Sequence, residues 1–135
     1  MANYSSICGW LQVSSNMSIE IERIVRAFKP RALEYGLSSE QADLYLQGFL
    51  FQRQQINWSS FVFYGAEIQT SAIRFMEDLV KEIAETVLDR DGDYADYPRG
   101  LFHVDDENED AMIVWLVAHG KFDKQTTPDP FAAQK

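Results

Sequence analysis

The stretch from Ile56 to Ile68 sets the strongest limit on what this chain can become. In an extended backbone, Ile56, Trp58, Val62, Tyr64, Ala66 and Ile68 fall on one side and Phe61 and Phe63 on the other. A strand apolar on both sides belongs inside a sheet rather than at its rim. Directly after it, Ile73, Met76, Leu79, Val80, Ile83, Val87 and Leu88 repeat at helical spacing, and Thr70 and Ser71 supply capping side chains. The other helical face carries Arg74–Asp78, Glu77–Lys81 and Lys81–Glu85 at four-residue spacing, each pair adding about 0.2–0.5 kcal/mol. A buried strand feeding an amphipathic helix points to a sheet with helices packed on it.

The remaining segments extend this pattern. Residues Tyr4 to Val13 predict a first strand, with Gly9 marking a bulge or a close approach. Ser18 is a candidate N-cap for a helix carrying Ile21, Ile24, Val25 and Phe28, and Ala32 and Tyr35 continue its stripe. Pro30 breaks or kinks that helix, and Gly36 stops it. Ser38 and Gln41 form a capping box for a short helix. Leu46 to Arg53 predicts a second strand, and Leu101–Asp105 and Met112–His119 predict two more around an acidic turn. The order predicts an α+β fold. It is ferredoxin-like, a split βαβ arrangement with two main helices on one face of a mostly antiparallel sheet and an extra C-terminal strand. Residues 1–122 form this single domain, and 123–135 are expected to be a polar tail with Pro128 and Pro130. The last strand is apolar on both faces, a hazard at an open edge. Either the tail folds over that edge or another chain pairs with it, and a homodimer or partner contact at 112–119 is the expectation.

Charge is concentrated in one region. The 135 residues carry a net charge of −9. Between Asp89 and Asp110 lie nine acids, namely Asp89, Asp91, Asp93, Asp96, Asp105, Asp106, Glu107, Glu109 and Asp110. Only Arg90 and Arg99 oppose them, so this segment holds −7 of the total. Such a segment keeps a protein soluble, or it steers a basic partner and raises the on-rate more than the affinity. Asp89-Arg-Asp91-Gly-Asp93 has the alternating acids that open a calcium loop, but its glycine comes at position four rather than six and Gly100 stands at position twelve. No metal and no other cofactor is expected.

The acidic balance argues against nucleic acid and anionic membranes, both of which need clustered Lys and Arg. The N-terminus lacks a secretory pattern, and the longest apolar run, Ala111 to Ala118, is short of the roughly 17–25 residues a spanning helix requires. A cytoplasmic protein with its single cysteine, Cys8, reduced is the expectation.

Cys8, His103 and His119 are the residue types of nucleophilic and acid–base catalysis. Sequence spacing does not bring them together. Cys8 is expected as an inert buried thiol, and the two histidines as structural residues on opposite faces, with His103 pairing near Met112. Glu67, between Ala66 and Ile68, is the one acid in apolar surroundings. Helices on one sheet face leave the other open, and Trp10, Phe61, Phe63, Glu67, His103, Trp115 and His119 are candidate lining for a pocket there. The expected function is a small acidic protein-binding module for a basic partner, of the immunity or inhibitor type, acting by binding rather than catalysis. The alternative is a ligand-binding or enzymatic domain using the aromatic face of the sheet.

Overall fold

A computed structural model describes residues 3–14, 17–86, 97–107 and 109–134. It shows an α+β fold with an open, fully antiparallel sheet in the order β2-β3-β1-β4-β5-β6. The strands are β1 (Tyr4–Ser14), β2 (Phe49–Phe51), β3 (Ser59–Gln69), β4 (Arg99–Asp106), β5 (Ala111–Ala118) and β6 (Lys121–Pro128). The helices are α1 (Ser18–Phe28), α2 (Ser39–Leu46) and α3 (Ile73–Glu85). No described helix is long and apolar enough to cross a membrane.

The sheet is built around β1 and β3, which pair without a break from Tyr4–Gln69 to Ser14–Ser59. Their alternation sorts side chains cleanly. Ile7, Leu11 and Val13 of β1 and Val62, Tyr64 and Ile68 of β3 are buried on one face. There they meet Ile21, Val25 and Phe28 of α1 and Phe75, Met76, Leu79, Val80 and Ile83 of α3. Helix α1 lies over β2 and β3, and α3 over β5 and β6. The Tyr35 hydroxyl donates to Asp78 at 2.7 Å, tying the turn after α1 to α3.

Local signals are realised with small shifts. Helix α1 gives way at Phe28 to a 3₁₀ segment, Lys29–Tyr35, which has Pro30 in its first turn and is capped by Gly36 in the left-handed region (φ 75°). The Ser38–Gln41 capping box forms in both directions. Met17, not Ser18, occupies the N-cap of α1, and the Ser18 hydroxyl instead donates to the Gln52 carbonyl at 2.6 Å. Thr70–Ala72 form a 3₁₀ turn ahead of α3. Val87 and Leu88 lie outside the described residues. Glu77 and Asp78, expected to pair along α3, are engaged elsewhere, Asp78 by Tyr35 and Glu77 by Lys124 at 2.7 Å.

Four expectations need correction. Ile56 and Trp58 are not on a strand face: a turn with Asn57 at φ 61° precedes β3, and Trp58 is 84% exposed. The second strand is three residues long, because α2 runs to Leu46 and Gly48 must pass against the Tyr64 ring and the Gly65 carbonyl. His103 pairs with Val114 rather than near Met112. The largest correction concerns residues 123–135. Lys121 to Pro128 is a strand, so the sheet extends two strands beyond β4, not one. His119 (φ 55°) and Gly120 (φ 74°) form the two-residue turn that favours an antiparallel hairpin. Phe122 packs against Trp115, and Lys124 reaches Glu77 of α3. Strand β6 therefore takes the whole free edge of β5, and the expected homodimer through 112–119 has no edge left to pair with. A polar strand replaces an apolar one at the rim, which is how sheets avoid edge-to-edge association.

Gly9 marks a close approach. A Cβ there would run into the Leu101 carbonyl oxygen and the Phe102 ring, whereas one on Gly65 would meet nothing within 4 Å. Gly9→Ala should therefore lower the free energy of unfolding by about 1–3 kcal/mol in a urea titration, and Gly65→Ala should be close to neutral. The buried Tyr64 hydroxyl donates to the Tyr45 carbonyl at 2.7 Å, and burial, then the neighbouring Tyr45, push its ionisation well above the ordinary 10.0. The folded state thus keeps a proton that the unfolded state loses. This contribution is intact below pH 10 and declines as the pH rises above it. Stability should fall with pH in that range, and less steeply in Tyr64→Phe.

Candidate functional site

Because the described helices all pack on one face, the even-numbered residues of β1 and the odd-numbered residues of β3 point the other way. Reading the register across the sheet gives a continuous apolar row of Leu50, Phe63, Trp10, Leu101 and Leu116, one residue from each of five adjacent strands. Leu50 is 68% exposed and Phe63 47%. Phe61 stacks on Phe63 with ring centres 6.0 Å apart and touches Trp10 at 6.3 Å. No described helix covers this row.

A hollow lies on each side of the row. The first, about 470 Å³, is lined by Trp10, Leu101 and Leu116, with Tyr97, Arg99 and His119 at its polar end. The second, about 250 Å³, is lined by Ser6, Cys8, His103, Asp105, Met112 and Phe131. Phe131 belongs to the segment expected as a free tail. That segment is held by the Asp129 N–H donating to the Asp110 carbonyl at 3.1 Å, and by the Phe131 N–H donating to the Asp129 carboxylate at 2.8 Å.

The structure brings some expected pocket residues together and removes one. Trp10, Phe61, Phe63, Glu67 and His103 share the open face. His119 sits in the β5–β6 turn at the mouth of the larger hollow. Trp115 does not belong: it pairs with Phe102 on the helix side and is 1% exposed. Its strand is apolar on both faces, so sequence alone could not tell which of its residues point inward.

Cys8 is the residue that sequence reasoning misjudged. It is exposed, not buried. It stands directly opposite His103 on β4 and opposite Gly65 on β3. Alternation carried the signal, since Cys8 has the parity of Trp10 and not of Ile7 and Leu11. The pairing with His103, 95 residues away, has no sequence signature.

The acidic residues divide. Asp89, Asp91, Asp93 and Asp96 lie outside the described residues. Asp105 shares a register row with Ser6 and Glu67 on the open face. Asp106 follows on β4, and Glu107, Glu109 and Asp110 lie between β4 and β5. Glu107 accepts a hydrogen bond from the Tyr4 N–H at 3.3 Å. The open face is thus acidic at this end and carries Arg99 and Lys121 at the other. Among the described residues, no group of three or more His, Cys, Asp or Glu is placed to hold a metal ion.

Compared with family models, curated proteins and solved structures, the chain matches none.

The assignment of faces can be checked by fluorescence. In the Trp10→Phe/Trp58→Phe double variant, the remaining Trp115 should emit to the blue and resist quenching by acrylamide. Wild-type protein, with Trp58 in solvent, should be quenched readily.

Proposed function

We propose that this protein is a protein-binding module that docks its partner on the open face of the sheet. The observation that carries the reading is the apolar row from Leu50 to Leu116, uncovered by any described helix. Contiguous apolar surface of this kind is costly in water unless a partner uses it. The acids at the Glu67–Asp105 end and in the β4–β5 turn complement a basic rim on that partner and speed the encounter. Size, charge and an open apolar face fit the immunity or inhibitor type, in which a small acidic protein shields a basic one. Helices between β1 and β2 and between β3 and β4, with β3 and β1 lying side by side in the centre, support reading the first four strands as a ferredoxin-like split βαβ core. A single exposed thiol suits the reducing conditions of the cytoplasm.

A second reading is favoured by the larger hollow. Trp10 and Tyr97 offer aromatic walls, Arg99 offers a cationic guanidinium and His119 an imidazole, a combination suited to a small planar anion. The two readings separate by experiment. Affinity capture from native lysate at low salt should return a stoichiometric basic protein, and high salt should weaken the complex. Phe63→Asp should cost no more than about 1 kcal/mol of stability yet release that partner. Absence of a stoichiometric partner, or its equal retention by Phe63→Asp, would refute the docking reading.

A further inference from the structure

The two rims of the sheet are unlike. Strand β6 guards one with a polar run ending in proline, whereas the other is β2, a bare Phe49-Leu50-Phe51. The ladder fixes which way the backbone of β2 turns. The Gln52 N–H donates to the Phe61 carbonyl at 3.0 Å, and the Gly65 N–H to the Gly48 carbonyl at 3.1 Å. Alternate residues of an antiparallel strand turn their backbone groups to the same side, so Gly48, Leu50 and Gln52 face β3. Phe49 and Phe51 therefore aim their N–H and C=O groups outward, and among the described residues nothing pairs with them. The Leu50 side chain between them is exposed, as are Leu44 on α2 and Ile56 and Trp58 in the β2–β3 turn. On the helix side Val25, Leu46 and Phe51 line a hollow of about 360 Å³, so the rim is not filled there. From Leu44 to Trp58 the only charged residue is Arg53, which is paired with Glu22 at 2.8 Å.

We infer that β2 is the interface of a homodimer, in which a second copy adds its own β2 across a two-fold axis and continues the sheet. The register is self-complementary. Phe49 pairs with Phe51 of the second copy and Phe51 with its Phe49, each pair exchanging two N–H···O=C bonds. All the outward groups of both strands are then satisfied. Leu50 meets Leu50 of the second copy at the axis as a non-hydrogen-bonded pair, with Cα atoms about 4.5 Å apart. Antiparallel pairing also lays the β2–β3 turn of one copy, with Ile56 and Trp58, toward the α2 end of the other, with Leu44. Charge selects this occupant. Two chains of net charge −9 repel, and least so along a rim whose one charge is already paired. A basic protein finds no attraction there, so this contact is separate from the open-face docking proposed above and does not depend on it.

Sedimentation equilibrium on the native chain alone, from about 1 µM to about 1 mM, should show the mass doubling with concentration, as suits a short interface at the weak end of the specific range. Added salt should not weaken the dimer, the reverse of its effect on a complex with a basic partner. Leu50→Asp sets two carboxylates against each other at the axis and should weaken association about tenfold or more, with the fold intact by circular dichroism. Leu50→Cys in a Cys8→Ser background should form a covalent dimer on mild oxidation, because the Cα separation at the axis suits a disulfide. A chain that stays monomeric throughout that range, a dimer that Leu50→Asp leaves unchanged, or a dimer that Leu50→Cys fails to cross-link would overturn the proposal.

Discussion

The described helices of this chain cover one face of its sheet, and the remaining features follow from that. Helices α1 and α3 each present an apolar stripe, and both stripes are spent on the face of Ile7, Leu11, Val62 and Tyr64. Burying apolar surface contributes on the order of 25 cal/mol per Å², so the side chains that alternate inward hold the molecule together. Those that alternate outward are free of that duty. Trp10, Phe63, Leu101 and Leu116 are too apolar to be explained by solvation alone, and Cys8, Glu67 and His103 lie among them.

Strand β6 shows how the same sheet protects itself. Its sequence is polar and ends in proline, and it lacks the alternation of a core strand. It forms because the His119–Gly120 turn returns the chain alongside β5, where unpaired backbone groups are waiting and Phe122 and Lys124 find partners on α3. The apolar β5 is thereby moved from the rim to the interior. The following turn lays Phe131 beside Cys8, so a segment with no core role completes one wall of the smaller hollow.

Much of the fold was legible in the residues. The two-sided β3, the amphipathic α3, the break at Pro30, the stop at Gly36 and the capping box at Ser38 are local effects, carried by neighbours within a few positions. The open-face placement of Trp10, Phe61, Phe63 and Glu67 follows from parity within a strand. The errors arose where a decision was not local. Trp115 and Met112 sit on a strand apolar on both sides, where hydrophobicity gives no direction. Ile56 and Trp58 continue the alternation of β3 in sequence, but a turn at Asn57 separates them from it.

The sequence by itself determined the extended and helical character of β1, β3, α1, α3, β4 and β5 and which residues within β1 and β3 share a face, because side-chain period is a property of the local backbone. Only the tertiary structure decided that Cys8 stands opposite His103 and Gly65, and that Lys121–Pro128 completes the sheet. Register between strands is set by the summed packing of both partners and of the helices above them. That sum involves residues nearly a hundred positions apart, and no short stretch of the chain contains it.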